Sequence, residues 1–81
     1  MSTIDKVMED IQDPEKALKL IKRVVQTHKS DPDMMDYDFF EEQAGFALHA
    51  VDALALSKRK LSEEEKELVD YCNNKIRPYF T

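Results

Sequence analysis

A single glycine, Gly45, and three prolines leave few positions in this 81-residue chain able to make tight β-turns, which argues against hairpins. The one cysteine, Cys72, cannot form an internal disulfide, so no framework of an oxidising compartment is present. No basic start with an apolar stretch follows Met1, and no apolar run reaches the roughly 20 residues that a bilayer span requires. The longest candidate, Ala44 to Leu56, is interrupted by His49 and Asp52. A cytoplasmic protein without a transmembrane segment is the expectation. Direct nucleic-acid binding is not expected of a chain whose pI is about 4.9, because phosphate contacts need cations.

The most uneven absence is of positive charge. Between Ser30 and Ser57 there is no Lys or Arg, while seven carboxylates fall there: Asp31, Asp33, Asp36, Asp38, Glu41, Glu42 and Asp52. They exceed the net charge of the whole chain, −5. Met34, Met35, Tyr37, Phe39 and Phe40 are interleaved with them. Carboxylates beside aromatics suit a surface that meets another macromolecule, although a solvated helix start would need the acids alone.

High Lys, Glu, Ala and Leu with so little Gly favours helices. The chain length fits one domain, residues 1–81, with a single small core and no deep cavity. The spacing predicts four helices. Ser2 caps a first helix whose stripe is Ile4, Val7, Met8 and Ile11. Asp13-Pro14 opens a second, with Ala17, Leu18, Ile21, Val24 and Val25 inward. Asp31-Pro32 repeats that punctuation, leaving open whether Asp33 to Tyr37 is a separate turn or the start of the third helix. Ser62 and Glu65 form a capping box for a fourth, with Leu68, Val69, Cys72 and Ile76 inward and Pro78 ending it. The expected fold is all-α, a small compact bundle of four helices with a long central third helix.

That third helix, Phe39 to Leu56, carries two apolar stripes. Phe40, Ala44, Ala47, Val51, Leu54 and Ala55 form one, with Leu48 at its edge; Phe39, Phe46, Ala50 and Ala53 form the other. Together they cover roughly 220° of the circumference, against about 100° for an ordinary surface helix. Either the helix is simply central, or the second stripe faces a partner, with a homodimer through this helix as one form. The polar strip left over holds Glu41, Glu42, Gly45, His49 and Asp52, with Leu56 at its end.

No catalytic motif is present, and an enzyme is not expected. Gly45 sits mid-helix and makes no phosphate loop. Cys72 or a serine, with His28 or His49 as base, would be the nucleophile candidates, but Cys72 falls on an inner stripe and reads as a buried, inert thiol. Glu42, His49 and Asp52 share a face, which fits a surface His49–Asp52 pair better than a metal site; no metal or cofactor is expected. The cations Lys16, Lys19, Lys22, Arg23, Lys29 and Lys58-Arg59-Lys60 are expected to pair with Glu63 to Glu67 and the acids of the third helix.

The expected function is therefore a small acidic protein-binding module, an inhibitor or adaptor that engages a protein with a basic surface and in its sharpest form mimics nucleic acid. Its partner-binding residues are Asp33, Asp36, Tyr37, Asp38, Phe39, Glu41, Glu42 and Phe46. A second expectation comes from layout. An Asp-Pro helix start, a long third helix, a basic joint and the capped start at Lys60-Leu61-Ser62-Glu63-Glu64-Glu65 together resemble the pediocin-like immunity proteins over roughly Asp13 to Ile76. The resemblance lies in the order of parts rather than in a motif, and this chain is more acidic and lacks that family's longer C-terminal segment. It implies a four-helix bundle that protects a membrane receptor from the cytoplasmic side.

Overall fold

Each Asp-Pro pair starts a new element. The structure, a computed structural model, describes residues 12–80, and the first expected helix, Ile4 to Ile11, lies outside them. Asp13 takes an extended conformation and its carboxylate accepts the Glu15 N–H at 3.0 Å, while Pro14 occupies the first helical position of α1, Pro14–Ser30. Asp31 closes α1 by donating its N–H to the Thr27 carbonyl, and its own carboxylate accepts the Asp33 N–H at 3.1 Å. One residue thus ends a helix and opens the next element. That element is a separate 3₁₀ turn, Pro32–Asp36, which settles the question left open by the sequence.

The long helix follows as α2, Asp38–Ser57, with Asp38 and Glu41 in its first turn, where they complement the helix dipole. It ends at Lys58, which adopts the left-handed conformation (φ 57°). Ser62 then caps α3, Glu63–Tyr71, in the expected box: the Ser62 hydroxyl accepts the Glu65 N–H at 3.1 Å, and the Glu65 carboxylate accepts the Ser62 N–H at 2.8 Å. The chain does not stay α-helical to Pro78. It widens into a π-type turn at Cys72–Ile76 and tightens into a 3₁₀ turn at Arg77–Phe80. Pro78 has no N–H to donate, and its ring would crowd the carbonyl four residues back, so a regular α-helix cannot run through it. The wider turn still directs Cys72 and Ile76 inward, both fully buried.

Among the described residues there are three α-helices and no strand, so the chain is all-α. The core joins Ala17, Ile21, Val24 and Val25 of α1 to Phe40, Ala44, Ala47, Leu48, Ala50, Val51 and Leu54 of α2, closed by Met35, Cys72 and Ile76. Leu18, Leu68 and Val69, expected inside, are half-buried against it. Ala55, assigned to the inner face, is exposed. No helix among the described residues is long and apolar enough to cross a membrane.

Two substitutions test this local account. A Cβ placed on Gly45 would meet the Phe80 ring at 3.8 Å, an ordinary contact, so Gly45→Ala should gain helix propensity without a clash. We expect it to raise the unfolding free energy in urea by about 0.5–1 kcal/mol. The Glu65 carboxyl is held below its ordinary value of 4.5, chiefly by the Ser62 backbone N–H. Its stabilising contribution is whole above the unfolded value and is lost as pH falls through the lower folded one. Glu65→Gln, which cannot titrate, should therefore flatten the acid limb of stability below about pH 4.5 in urea titrations followed by circular dichroism.

Candidate interaction surface

The expected partner-binding residues divide into those the fold exposes and one that it takes inside. The 3₁₀ turn holds Asp33 and Asp36 in solvent, and the first turns of α2 do the same for Asp38, Glu41 and Glu42. Tyr37, the link between the two elements, is 61% exposed, and Phe39 is 75% exposed. Phe46 differs, for it is half-buried and packs against the core. Of the second stripe of α2, Ala50 is fully closed off and Ala53 is half-buried, which leaves Phe39 as its open member.

Phe39 overhangs a concavity of about 340 Å³ between α1, the 3₁₀ turn and α2, lined by Arg23, Val24, Thr27, Met34, Phe39, Phe40 and Gln43. Its floor is apolar because Val24 and Phe40 are core residues whose outer edges reach it. Asp33, Asp36, Asp38, Glu41 and Glu42 make no ion pair among the described residues. The arrangement is therefore a largely apolar recess with Arg23 in its lining, and two exposed aromatics next in the chain to carboxylates that form no ion pair among the described residues.

A second concavity, about 300 Å³, lies on the polar strip of α2 between Asp38, Glu41, Glu42, Gly45 and Phe80. The C-terminal turn crosses this strip. Phe80 lies on Gly45, and Arg77 Nη2 donates to Asp52 Oδ1 at 2.8 Å while its Nε donates to Asn73 Oδ1 at 3.1 Å. Asp52 thus pairs with Arg77 rather than with His49, which is exposed. The sequence carried no signal for this docking, because Arg77 and Asp52 are 25 positions apart and belong to no local pattern.

The cations behave differently from expectation as well. Lys66 pairs with Glu63 at 3.8 Å, one turn away on an exposed face. Lys19 and Lys22 share a concavity with Glu64 and Glu65 but form no ion pair with them. Lys29 instead places its ammonium 5.1 Å from the centre of the Tyr71 ring. Long exposed side chains gain little from fixed pairing in water, which fits the absence of an ion pair between Lys19 or Lys22 and Glu64 or Glu65.

Behind this face His28 is buried, and its Nδ1 shares a 2.6 Å hydrogen bond with the Tyr71 hydroxyl. The Tyr79 ring meets it edge-on at 6.1 Å between ring centres. His28 Nε2 is the one buried side-chain polar atom among the described residues without a partner. Burial pushes the Tyr71 hydroxyl above its ordinary value, with smaller contributions from Cys72 and Tyr79. Burial also pushes the Cys72 thiol up to about 11, against a smaller opposing effect of the Arg77 charge, so it stays protonated and unreactive near neutral pH. No three His, Cys, Asp or Glu side chains among the described residues are grouped to hold a metal ion.

Comparison with protein-family models, with characterised proteins and with solved structures returns no match for this chain.

The His28–Tyr71 pair gives a direct test of how the C-terminal turn is anchored. Tyr71→Phe leaves both imidazole nitrogens without partners and is expected to cost about 1–3 kcal/mol in urea unfolding. Adding His28→Leu should return much of that loss, since removing both members leaves no orphaned polar atom. Equal and additive losses would show that the two side chains act only through packing.

Proposed function

We propose that the protein is a small cytoplasmic binding module, an inhibitor or adaptor, whose acidic and aromatic end engages a basic surface on another protein. The observation that carries this reading is the exposure of Tyr37 and Phe39, the latter lining a largely apolar recess, within a run of carboxylates that form no ion pair among the described residues. A solvated helix start explains the acids, but the exposed aromatics leave apolar surface in water, and burying it against a partner would be favourable. Aromatic side chains are enriched among interface anchors for that reason. The surrounding carboxylates raise the encounter rate with a cationic partner and disfavour acidic ones. In its sharpest form the spaced acids Asp33, Asp36, Asp38 and Glu41 stand in for phosphates and occupy a nucleic-acid-binding channel. The reading keeps the four-helix count, for which the stripe Ile4, Val7, Met8 and Ile11 is the sequence support.

The test is capture from lysate of the native host, comparing wild type with a variant carrying Asp33→Asn, Asp36→Asn, Asp38→Asn and Glu41→Gln. Circular dichroism should show the same helix content for both, because all four side chains are exposed. We expect mass spectrometry to find a basic protein held by wild type and lost with the variant. Membrane-receptor components retained equally by both would overturn this reading in favour of immunity-type protection.

A further inference from the structure

The two ends of α2 present surfaces of opposite chemistry. At the N-terminal end lies the largely apolar recess lined by Val24, Met34, Phe39 and Phe40 together with Arg23, Thr27 and Gln43, and Asp33, Asp36 and Asp38 are exposed close by in the chain. At the C-terminal end Leu56 is 84% exposed, the most open of the large apolar side chains. Directly after it, the left-handed Lys58 turns the backbone out of the helix. Lys58, Arg59 and Lys60 are all exposed, and none makes an ion pair among the described residues. Arg59 exerts only a minor charge effect on Glu65.

One end is thus a largely apolar socket, with Arg23 in its lining and three exposed acids close by in the chain, and the other is an apolar knob beside three exposed cations. The two cannot meet within one chain, because a 20-residue helix holds them about 30 Å apart.

We propose that the recess docks a second copy of this chain, which inserts Leu56 beneath Phe39 and sets Lys58, Arg59 and Lys60 against Asp33, Asp36 and Asp38. The inference rests on the reading of the acidic end as a binding surface and names its partner. The two patches differ and sit at opposite ends of a rigid helix, so the contact is heterologous. Each added copy leaves one recess and one Leu56 unfilled, and association continues past the dimer unless the rotation closes a ring. A single apolar insertion with exposed, screened charges makes a weak contact that tightens at low salt.

Sedimentation velocity on the full chain tests this at about 20 mM and about 500 mM salt, where screening differs several-fold. Wild type is expected to shift to larger species with concentration at low salt, and to revert at high salt. Leu56→Ala alone should weaken association about tenfold or more, the effect of losing one buried leucine side chain. Two further variants, each altered at one end, make the test specific. Phe39→Lys with Asp36→Lys spoils the recess; Leu56→Ser with Arg59→Glu and Lys60→Glu spoils the knob. Each alone should be monomeric, yet an equimolar mixture should form a dimer and stop there, since only one intact socket and one intact knob remain per pair.

A wild type that stays monomeric at low salt up to about 1 mM, or a mixture that stays monomeric while wild type associates, overturns the proposal. A monomeric wild type whose four-carboxylate variant still loses a cellular partner would sink self-docking alone and leave the proposed function standing. Self-association together with capture unaffected by that variant would do the reverse.

Discussion

The apolar girth of α2, Asp38–Ser57, constrains everything around it. Seven of its side chains are buried, and they do not lie on one narrow stripe. A helix of this kind is unfavourable in water unless several neighbours cover it. α1 covers one side, the 3₁₀ turn Pro32–Asp36 closes the N-terminal shoulder through Met35, and the π-type turn brings Cys72 and Ile76 against another side. Small residues at Ala44, Ala47 and Ala50 let those neighbours approach closely, since all three are fully buried.

The polar strip of α2 completes the arrangement. Glycine at position 45 exposes helix backbone, and Phe80 covers it. Arg77 reaches across to Asp52, so the C-terminal turn is held to α2 by one charged hydrogen bond and one ring contact. The same turn brings Tyr79 to His28 on α1. A few residues after Pro78 therefore touch both long helices. The buried His28 Nε2 without a partner is the weak point of that junction, because a polar atom taken from water without compensation opposes folding.

What remains uncovered is at the two ends of α2. Tyr37 and Phe39 stand out at one end, next in the chain to acids, and Leu56 at the other, shortly before Lys58, Arg59 and Lys60. The neighbours bury Phe40 and Leu54 near the two ends of the helix but leave Phe39 and Leu56 beside them in solvent. Phe46 is instructive by contrast. It shares a stripe with Phe39 on the wheel, yet lies two turns further along, where it is half-buried against the core.

Local chemistry in the sequence determined the punctuation of this protein. Asp13-Pro14, Asp31-Pro32 and the Ser62–Glu65 box act within three residues of themselves, so helix starts were legible without knowledge of the fold. Periodicity likewise identified most of the buried face of α1 and α2, because burial follows from spacing on a helix. Exposure of Asp33, Tyr37 and Phe39 was also readable in outline, from acids crowding an apolar run. Only the tertiary structure decided which stripe of α2 stays open, that Asp52 pairs with Arg77, that Phe80 lies on Gly45, and that His28 is sealed against Tyr71. Those outcomes join residues 25 to 43 positions apart. No local preference encodes them, since the free energy that selects them arises only once the helices have packed and removed the water between them.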